Sequence, residues 1–440
     1  MKTPLLFALA LVYCISANSQ GRLKTQIESV ISNIEDQHYE VYKDLHLHPE
    51  LSLMESETSQ KMASHLEGMG FEVSPNFSGN SLVGILRNGD GPVIMLRTDM
   101  DALPIKEATG LPYASMVVME DADGKDVPVM HACGHDMHMT VWLGTLNTMV
   151  KLKNEWSGTI VAIAQQAEEI SAGADRMIEA GLFQKFPEPD YALAYHVNPE
   201  LPAGSIGYYP GPIFGGVSSV DIHVFGYGGH GAMPHTTIDP VVLASRIVMS
   251  IQTLVSREIE PFQPAVVTVG SIHGGSKHNV IPDRVDLQLT VRFFDDSVYE
   301  QIIEGLKRIT RGIALSAGLP EDKMPEVIPL EGLTPPVANN PGLVNRSIVS
   351  MEGILGAEKI FKVNPNTVGE DFGKYGRTEE EIPIALFWLG AVEESKYIDH
   401  IENGTTLPGL HNAAFHPDFY PTFRGGVAAM SKTMIDLFNN

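Results

Sequence analysis

Two cysteines in 440 residues are too few for a disulfide framework, so this fold is held by burial rather than by covalent staples. Positive charge is scarce as well. Thirty Lys and Arg stand against 54 Asp and Glu, a formal net charge of -24 that repels phosphate backbones and anionic membrane surfaces and argues against a nucleic-acid partner. No internal repeat and no low-complexity stretch is visible, and no apolar run is long enough to span a bilayer. What remains, 43% hydrophobic and 19% charged residues, is the composition of an ordinary globular chain. Its length exceeds one hydrophobic core, so two globular units, or one unit carrying an insertion, are expected.

Lys2, the short apolar run 5–12 and the small residues Ala17-Asn18-Ser19 read as a secretory leader over residues 1–19, cleaved before Gln20, for an exported protein, periplasmic or secreted. Bulky Tyr13 argues against a lipoprotein anchor at Cys14. Cleavage leaves Cys133 as the only thiol. A buried structural cysteine is the ordinary explanation for a lone thiol, and its neighbours offer another.

The spacing of apolar residues predicts a helix over 23–45, and Ser52-Leu53-Met54-Glu55 is a capping-box pattern opening a second helix that runs to Gly68. Strands over 82–86 and 93–97, joined through Asn88-Gly89-Asp90-Gly91-Pro92, predict a hairpin. Beyond them a helix (140–152), a strand (159–164), a helix (172–180) and a strand (191–195) alternate, the signature of an α/β sheet with parallel strands, whose ligand site lies past the carboxyl ends of its strands. After Pro210-Gly211-Pro212 the rhythm becomes strand, helix, strand, strand, helix, closing with a strand near Glu326. That order resembles a small open-faced sandwich inserted over residues 214–328, with 20–213 and 329–440 forming the two parts of the core domain.

His131, Cys133, His135, Asp136 and His138 crowd one short segment before a helix. Read as extended chain, the segment sends the alternate residues Cys133 and His135 toward one centre. Glu168 and Glu169 follow a buried strand, where one can bind metal while the other moves a proton, although acidic residues also suit a solvated first helical turn. His196 sits where an apolar strand ends, and His411 lies in a late loop, Leu410-His411-Asn412. A thiolate, three imidazoles and a carboxylate are too many donors for one tetrahedral ion and suit two ions sharing a bridge. Two other readings stay open: a cysteine hydrolase using Cys133 with His135 or His196, which a chelator would spare, and a binding protein that keeps the fold without catalysis.

These segments occur together with Asp44-Leu45-His46-Leu47-His48-Pro49-Glu50-Leu51-Ser52, Arg97-Thr98-Asp99-Met100-Asp101-Ala102-Leu103-Pro104, Gly173-Ala174, Gly204, Gly228-Gly229-His230-Gly231-Ala232-Met233-Pro234 and Gly369-Glu370-Asp371-Phe372. In this order and spacing, from Asp44 to Phe419, the chain resembles the M20 metallopeptidase family, in its branch of N-acyl-amino-acid amidohydrolases that includes hippurate and auxin-conjugate hydrolases. The resemblance implies a mixed-sheet α/β catalytic domain of the zinc-peptidase type, with an inserted α+β, ferredoxin-like lid and dimerisation domain. It implies two divalent ions per subunit, zinc or manganese with cobalt and nickel as alternatives, held by Cys133, His135, Glu169, His196 and His411, with Cys133 bridging. Glu168 becomes the general base and His230 a donor to the oxyanion across a homodimer. Asp101 becomes an orienting residue, while His46, His48, His131 and His138 are left with supporting roles. Asn279 and Arg292 are candidates to hold the substrate carboxylate, though Arg292 serves equally well as a surface strand residue. The activity implied is hydrolysis of small N-acyl-L-amino acids, with a dipeptidase or carboxypeptidase of the same family as the alternative.

Overall fold

The computed structural model describes residues 4–330 and 332–439, with side chains described from residue 21 onward. Residues 1–3 of the expected leader, and the side chains of the rest of it including Cys14, lie outside the described residues. Among the described residues no helix is long and apolar enough to cross a membrane.

The chain forms two compact units, one comprising the chain through Gly211 with Ala338–Asn364 and Lys374–Asn440, the other Pro212–Val337 with Pro365–Gly373. Numbered along the chain, the first unit holds β1 (Glu72–Asn88), β2 (Val93–Asp99), β3 (Gly158–Gln165), β4 (Tyr191–Pro202) and β5 (Ile206–Tyr208). The second holds β6 (Gly216–Phe225), β7 (Ala265–Gly274), β8 (Arg284–Phe293) and β9 (Glu326–Pro329), after which the first resumes with β10 (Ile360–Lys362) and β11 (Ile384–Val392). The principal helices are α1 (Pro4–Leu47), α2 (Ser56–Gly68), α3 (His135–Lys151), α4 (Gly173–Glu179), α5 (Pro240–Thr253), α6 (Asp296–Ser316), α7 (Pro341–Leu355) and α8 (Phe419–Phe438).

The first unit is built on a seven-stranded mixed sheet in the order β1-β3-β2-β4-β11-β5-β10. Its central pairs, β3 with β2, β2 with β4 and β4 with β11, are parallel, while β1 and β5 join antiparallel. Strands of this kind must be apolar on both sides. Ile160, Ala162, Leu193, Phe387 and Leu389 join α1, α3, α7 and α8 in one apolar cluster, and the alternate set Val161, Ile163, Ala194, Leu386 and Trp388 is buried as well. Helix α3 is enclosed almost throughout its length. Its threonines satisfy themselves there, Thr140, Thr145 and Thr148 each donating to the carbonyl four residues earlier.

In the second unit the sheet order is β7-β8-β6-β9. Val220, Ile222, Val224, Leu287, Leu289 and Val291 pack on α5 and α6, while the alternate residues Ser219, Asp221, His223, Gln288 and Thr290 stay exposed or half-buried. Asp239 and Asp295 cap the two helices, accepting from Val241 N and Ser297 N at 2.8 Å. The fold class expected from the sequence, a mixed-sheet α/β domain with an inserted α+β domain, is the one observed.

Four local expectations fail. The segments 82–86 and 93–97 are not a hairpin: β3 lies between β1 and β2, antiparallel to one and parallel to the other. The five-residue link 88–92 is long enough to pass around the start of β3 and is fastened to it, with Thr159 N donating to Pro92 O and Ser157 Oγ to Asp90 O. The capping box does not form, because α2 begins at Ser56 while Ser52 and Glu55 spend their side chains on Asp101 and Ala167. The segment before α3 is a turn rather than extended chain, and β4 runs past His196 to Pro202.

That turn depends on Gly134, which is left-handed at φ 80° and would place a Cβ 2.6 Å from Val197 Cγ2. Gly134→Ala is expected to cost at least about 2 kcal/mol, the left-handed penalty plus the clash. Chemical denaturation measures it, and a midpoint unchanged from the parent protein would contradict this account.

Candidate metal centre

The site forms where β2 and β3 end in the first unit. Asp99 closes β2 and is followed by Asp101, while Gln165 closes β3 and leads into Ala167-Glu168-Glu169. Cys133 lies in the turn before α3, and His135 is that helix's first residue. His196 projects from β4, paired in register with Trp388 of β11, whose ring lies against it. His411 is left-handed at φ 61°, and its N–H donates to Ala132 O at 2.9 Å, which fastens a distant loop to the Cys133 turn.

Two groups of donor atoms share Cys133. In each of the sets Cys133, His135, His196 and Cys133, Glu169, His411, the ligand-capable atoms lie within 4.8 Å of one another, and His135, Glu168 and Glu169 make a third such set. Cys133 Sγ is 3.4 Å from His196 Nε2, His135 Nε2 is 3.8 Å from Glu169 Oε1, and His411 Nε2 is 3.3 Å from Glu169 Oε2. Glu168 Oε2 stands 3.9 Å from His135 Nε2. His135 Nε2 and Glu169 Oε1 are buried without a hydrogen-bond partner, so these donors fit divalent cations.

The electrostatics point the same way. Burial pushes the Cys133 thiol well up, and Glu169, Glu168 and Asp99 push it further. A thiol raised in this way is the opposite of the lowered one that a cysteine hydrolase uses. Burial also raises Glu169, with His135 opposing and Asp101 and Asp99 adding. For His135 burial disfavours the charge, yet Asp99, Asp101 and Glu169 overcome it and lift the ring to about 10. A site so rich in buried anions is completed by added positive charge.

Neighbouring groups aim the ligand-capable side chains. Asp101 Oδ1 lies 3.3 Å from His135 Nδ1, and its Oδ2 accepts from Ser52 Oγ at 2.6 Å and Glu169 N at 3.0 Å. His196 Nδ1 sits 2.9 Å from Val197 O, which fixes the proton there and leaves Nε2 facing Cys133. His138 has both nitrogens engaged: Nδ1 lies 2.7 Å from Asp99 Oδ1, and Nε2 accepts from Val197 N at 2.8 Å. His131 is enclosed, and burial lowers it to about 4. His46 is clamped between Asp136 Oδ2 at 2.6 Å and Glu107 Oε1 at 3.1 Å, which ties α1 and the 107 loop to the first turn of α3. His48, by contrast, is exposed beside Asp44.

Of the nine residues singled out from the sequence, six converge here: Cys133, His135, Glu168, Glu169, His196 and His411. The other three belong to the second unit. His230 is exposed on a two-residue ladder opposite Val280, its Nδ1 accepting from Ala232 N, and Gly231 N donates to Asn279 O at 2.8 Å. Arg292 is half-buried on β8 and forms no ion pair with the described residues. Sequence reading missed Glu55, Glu107 and Asp99 as supports. Glu55 lies inside the capping pattern, and the other two carry no local signal beyond Asp99's place in the Arg97–Asp101 run.

The sequence pattern of peptidase family M20/M25/M40 matches residues 95–411. The chain belongs to this family. It is 36% identical over 351 residues to N-acetylcysteine deacetylase of Bacillus subtilis, covering 79% of this chain and 86% of that one. It is 33% identical over 378 residues to thermostable carboxypeptidase 1 of Saccharolobus solfataricus, covering 85% and 91%. Among solved structures it resembles a dinuclear metal-binding M20 peptidase of Bacillus subtilis, with TM-score 0.75 and 29% identity over 93% of this chain and 99% of that one. This M20 chain is accordingly a metal-binding hydrolase whose ligand-capable residues are clustered at one site.

Removing the shared donor tests the centre directly: Cys133→Ala is expected to lower the metal content of purified protein below two equivalents by elemental analysis, and an unchanged content would rule out a shared role. The His46 clamp predicts a pH dependence. Burial works against its charge, but Asp136 and Glu107 raise the ring from 6.5 to about 9, so its stabilisation is complete below pH 6.5 and is lost as the pH rises through 9. His46→Gln should therefore be clearly less stable than the parent at pH 6, with the gap closing above pH 9 in denaturation curves.

Proposed function

We propose that this chain hydrolyses the amide bond of N-acyl-L-amino acids, releasing a carboxylate and a free amino acid. The observation that carries the reading is the pair Glu168 and Glu169 on one turn, both reaching His135, with Glu169 also grouped with Cys133 and His411 and Glu168 not. Cys133, His135, Glu169, His196 and His411 would hold divalent cations, which would supply Lewis acidity to a water molecule and to the substrate carbonyl. Glu168 takes the proton from the attacking water and passes it to the departing amine nitrogen. His230, with Nδ1 accepting a backbone N–H, carries its proton on Nε2, the donor an oxyanion requires. Arg292 and Asn279 hold the substrate carboxylate, a role that suits a guanidinium with no carboxylate partner among the described residues.

The same reading makes the protein a homodimer through the second unit, where α5 leaves Val242 54% and Met249 74% exposed and the edge strand β7 leaves Ile272 57% exposed. It also takes residues 1–19 as a leader removed on export, which N-terminal sequencing of the mature protein would check. The metal is proposed to be zinc, on the softness of a thiolate with imidazoles, with manganese as the alternative. Likeness to a carboxypeptidase supports a second reading, cleavage of a C-terminal residue from short peptides.

Glu168→Gln is expected to cut kcat by roughly 10²- to 10⁴-fold while leaving two equivalents of metal in place. Retained turnover would remove Glu168 as the base. A panel of N-acetyl, N-benzoyl and longer acyl amino acids against dipeptides, run on enzyme reconstituted with each metal, separates the two readings by kcat/KM.

A further inference from the structure

The turn that carries Glu168 and Glu169 is strained, and something outside it must hold it. Ala167 at φ 53° and Ser171 at φ 54° are both left-handed, a conformation that ordinary side chains avoid. On its carbonyl side the turn closes on itself, Ala167 O accepting from Ala172 N and Gly173 N at 3.1 Å. A Cβ at Gly173 would fall 1.8 Å from Gln166 O, so the turn has no room to relax in that direction. On the amide side it is held from far away in sequence. Glu55, fully buried, accepts from Ala167 N at 2.8 Å and from Leu53 N at 3.0 Å through Oε1, and from Asn80 Nδ2 at 3.2 Å through Oε2.

Leu53 is left-handed too, at φ 69°, and its carbonyl accepts from the same Asn80 amide at 3.0 Å. Asn80 N in turn donates to Gln166 Oε1 at 2.8 Å, which closes a ring of contacts around the turn. Asp101 does on the far side what Glu55 does on the near side, accepting from Glu169 N at 3.0 Å. The two amides that flank Glu168 are thus each fixed by a buried carboxylate.

We infer that Glu55 is a positioning residue: its carboxylate holds Ala167 left-handed and thereby sets the directions in which Glu168 and Glu169 leave the turn. Burial and Asp101 raise the Glu55 carboxyl to about 7, and with or without its proton Oε1 accepts from Ala167 N, a bond that offsets the strain of a left-handed alanine. Glutamine at position 55 would keep a weaker acceptor for Ala167 N but would set its own N–H₂ against Asn80 Nδ2. Alanine would leave the buried N–H of Ala167 and the N–H of the more exposed Leu53 without this acceptor.

The inference rests on the proposed roles of Glu168 and Glu169, and the test keeps the two apart. Glu55→Ala and Glu55→Gln are compared with the parent for kcat and KM on an N-acyl amino acid. Zinc affinity of the metal-free protein is measured by competition with a chelating dye, together with the melting temperature. Loss of positioning is expected to lower kcat roughly 10- to 100-fold with KM changed far less, and to weaken zinc binding about tenfold through Glu169. The decisive variant adds Ala167→Gly, since glycine takes the left-handed conformation without a Cβ penalty. In the Glu55→Ala background it should recover part of both kcat and zinc affinity while the melting temperature stays low. A Glu55 that only stabilises the fold would lower the melting temperature, leave kcat per folded molecule unchanged and gain nothing from glycine, which overturns the inference. Should Glu55→Ala fail to fold, Glu55→Gln with and without Ala167→Gly decides the matter. Should the parent protein not turn over acyl amino acids, the proposed function fails, and the zinc measurement alone still decides the role of Glu55.

Discussion

Buried negative charge with too little water around it is the constraint on which the first unit depends. Asp99, Asp101, Glu168 and a thiol stand enclosed at the ends of β2 and β3 with Glu169 close by, and each anion costs heavily unless something answers it. Arg97 and His138 answer Asp99, and His135 faces both Asp99 and Asp101. What they leave over is a set of donors with too few protons among them, the chemistry of a cation site. The same rule recurs one turn away, where Asp136 and Glu107 close on His46.

Such a cluster works only if its members cannot move apart, and the sheet supplies that rigidity. His196 is fixed by its register against Trp388, and Cys133 and His135 by a turn leading into a helix packed on nearly every side. The less regular pieces are the ones under strain. Ala167 and His411 are left-handed without being glycine, and each is tied by its own N–H, to Glu55 and to Ala132 O. Strain of this kind persists only where the surroundings over-determine it, and here those surroundings are the strand ends themselves.

The parts of the fold that could be read from the chain were those written in local pattern. Unbroken apolar runs such as 159–164 announce strands buried on both faces, and the change of rhythm after Pro212 announces a second kind of domain. Strand order was not legible. Two neighbouring strands with a turn-rich link looked like a hairpin, yet pairing is decided by which strands can bury both faces together, and β3 took the place between them. Glu55 misled for a related reason: the spacing from Ser52 fits a cap, but a buried amide 112 residues away was the better partner.

For the site, the sequence by itself determined which kinds of atom would be present. A thiol, imidazoles and adjacent carboxylates in a known order narrow the chemistry because donor softness and proton affinity belong to the residue, whatever the fold. Tertiary structure alone decided which of sixteen histidines meet the thiol, which nitrogen each turns toward it, and which carboxylates stand behind them. Those choices depend on distances of three to four ångströms between segments far apart in the chain, and only packing sets such distances. The segment around Cys133 showed a crowd of ligand-capable residues, and the fold made Cys133 the atom that two groups share, with His138 and Asp136 bound to other partners.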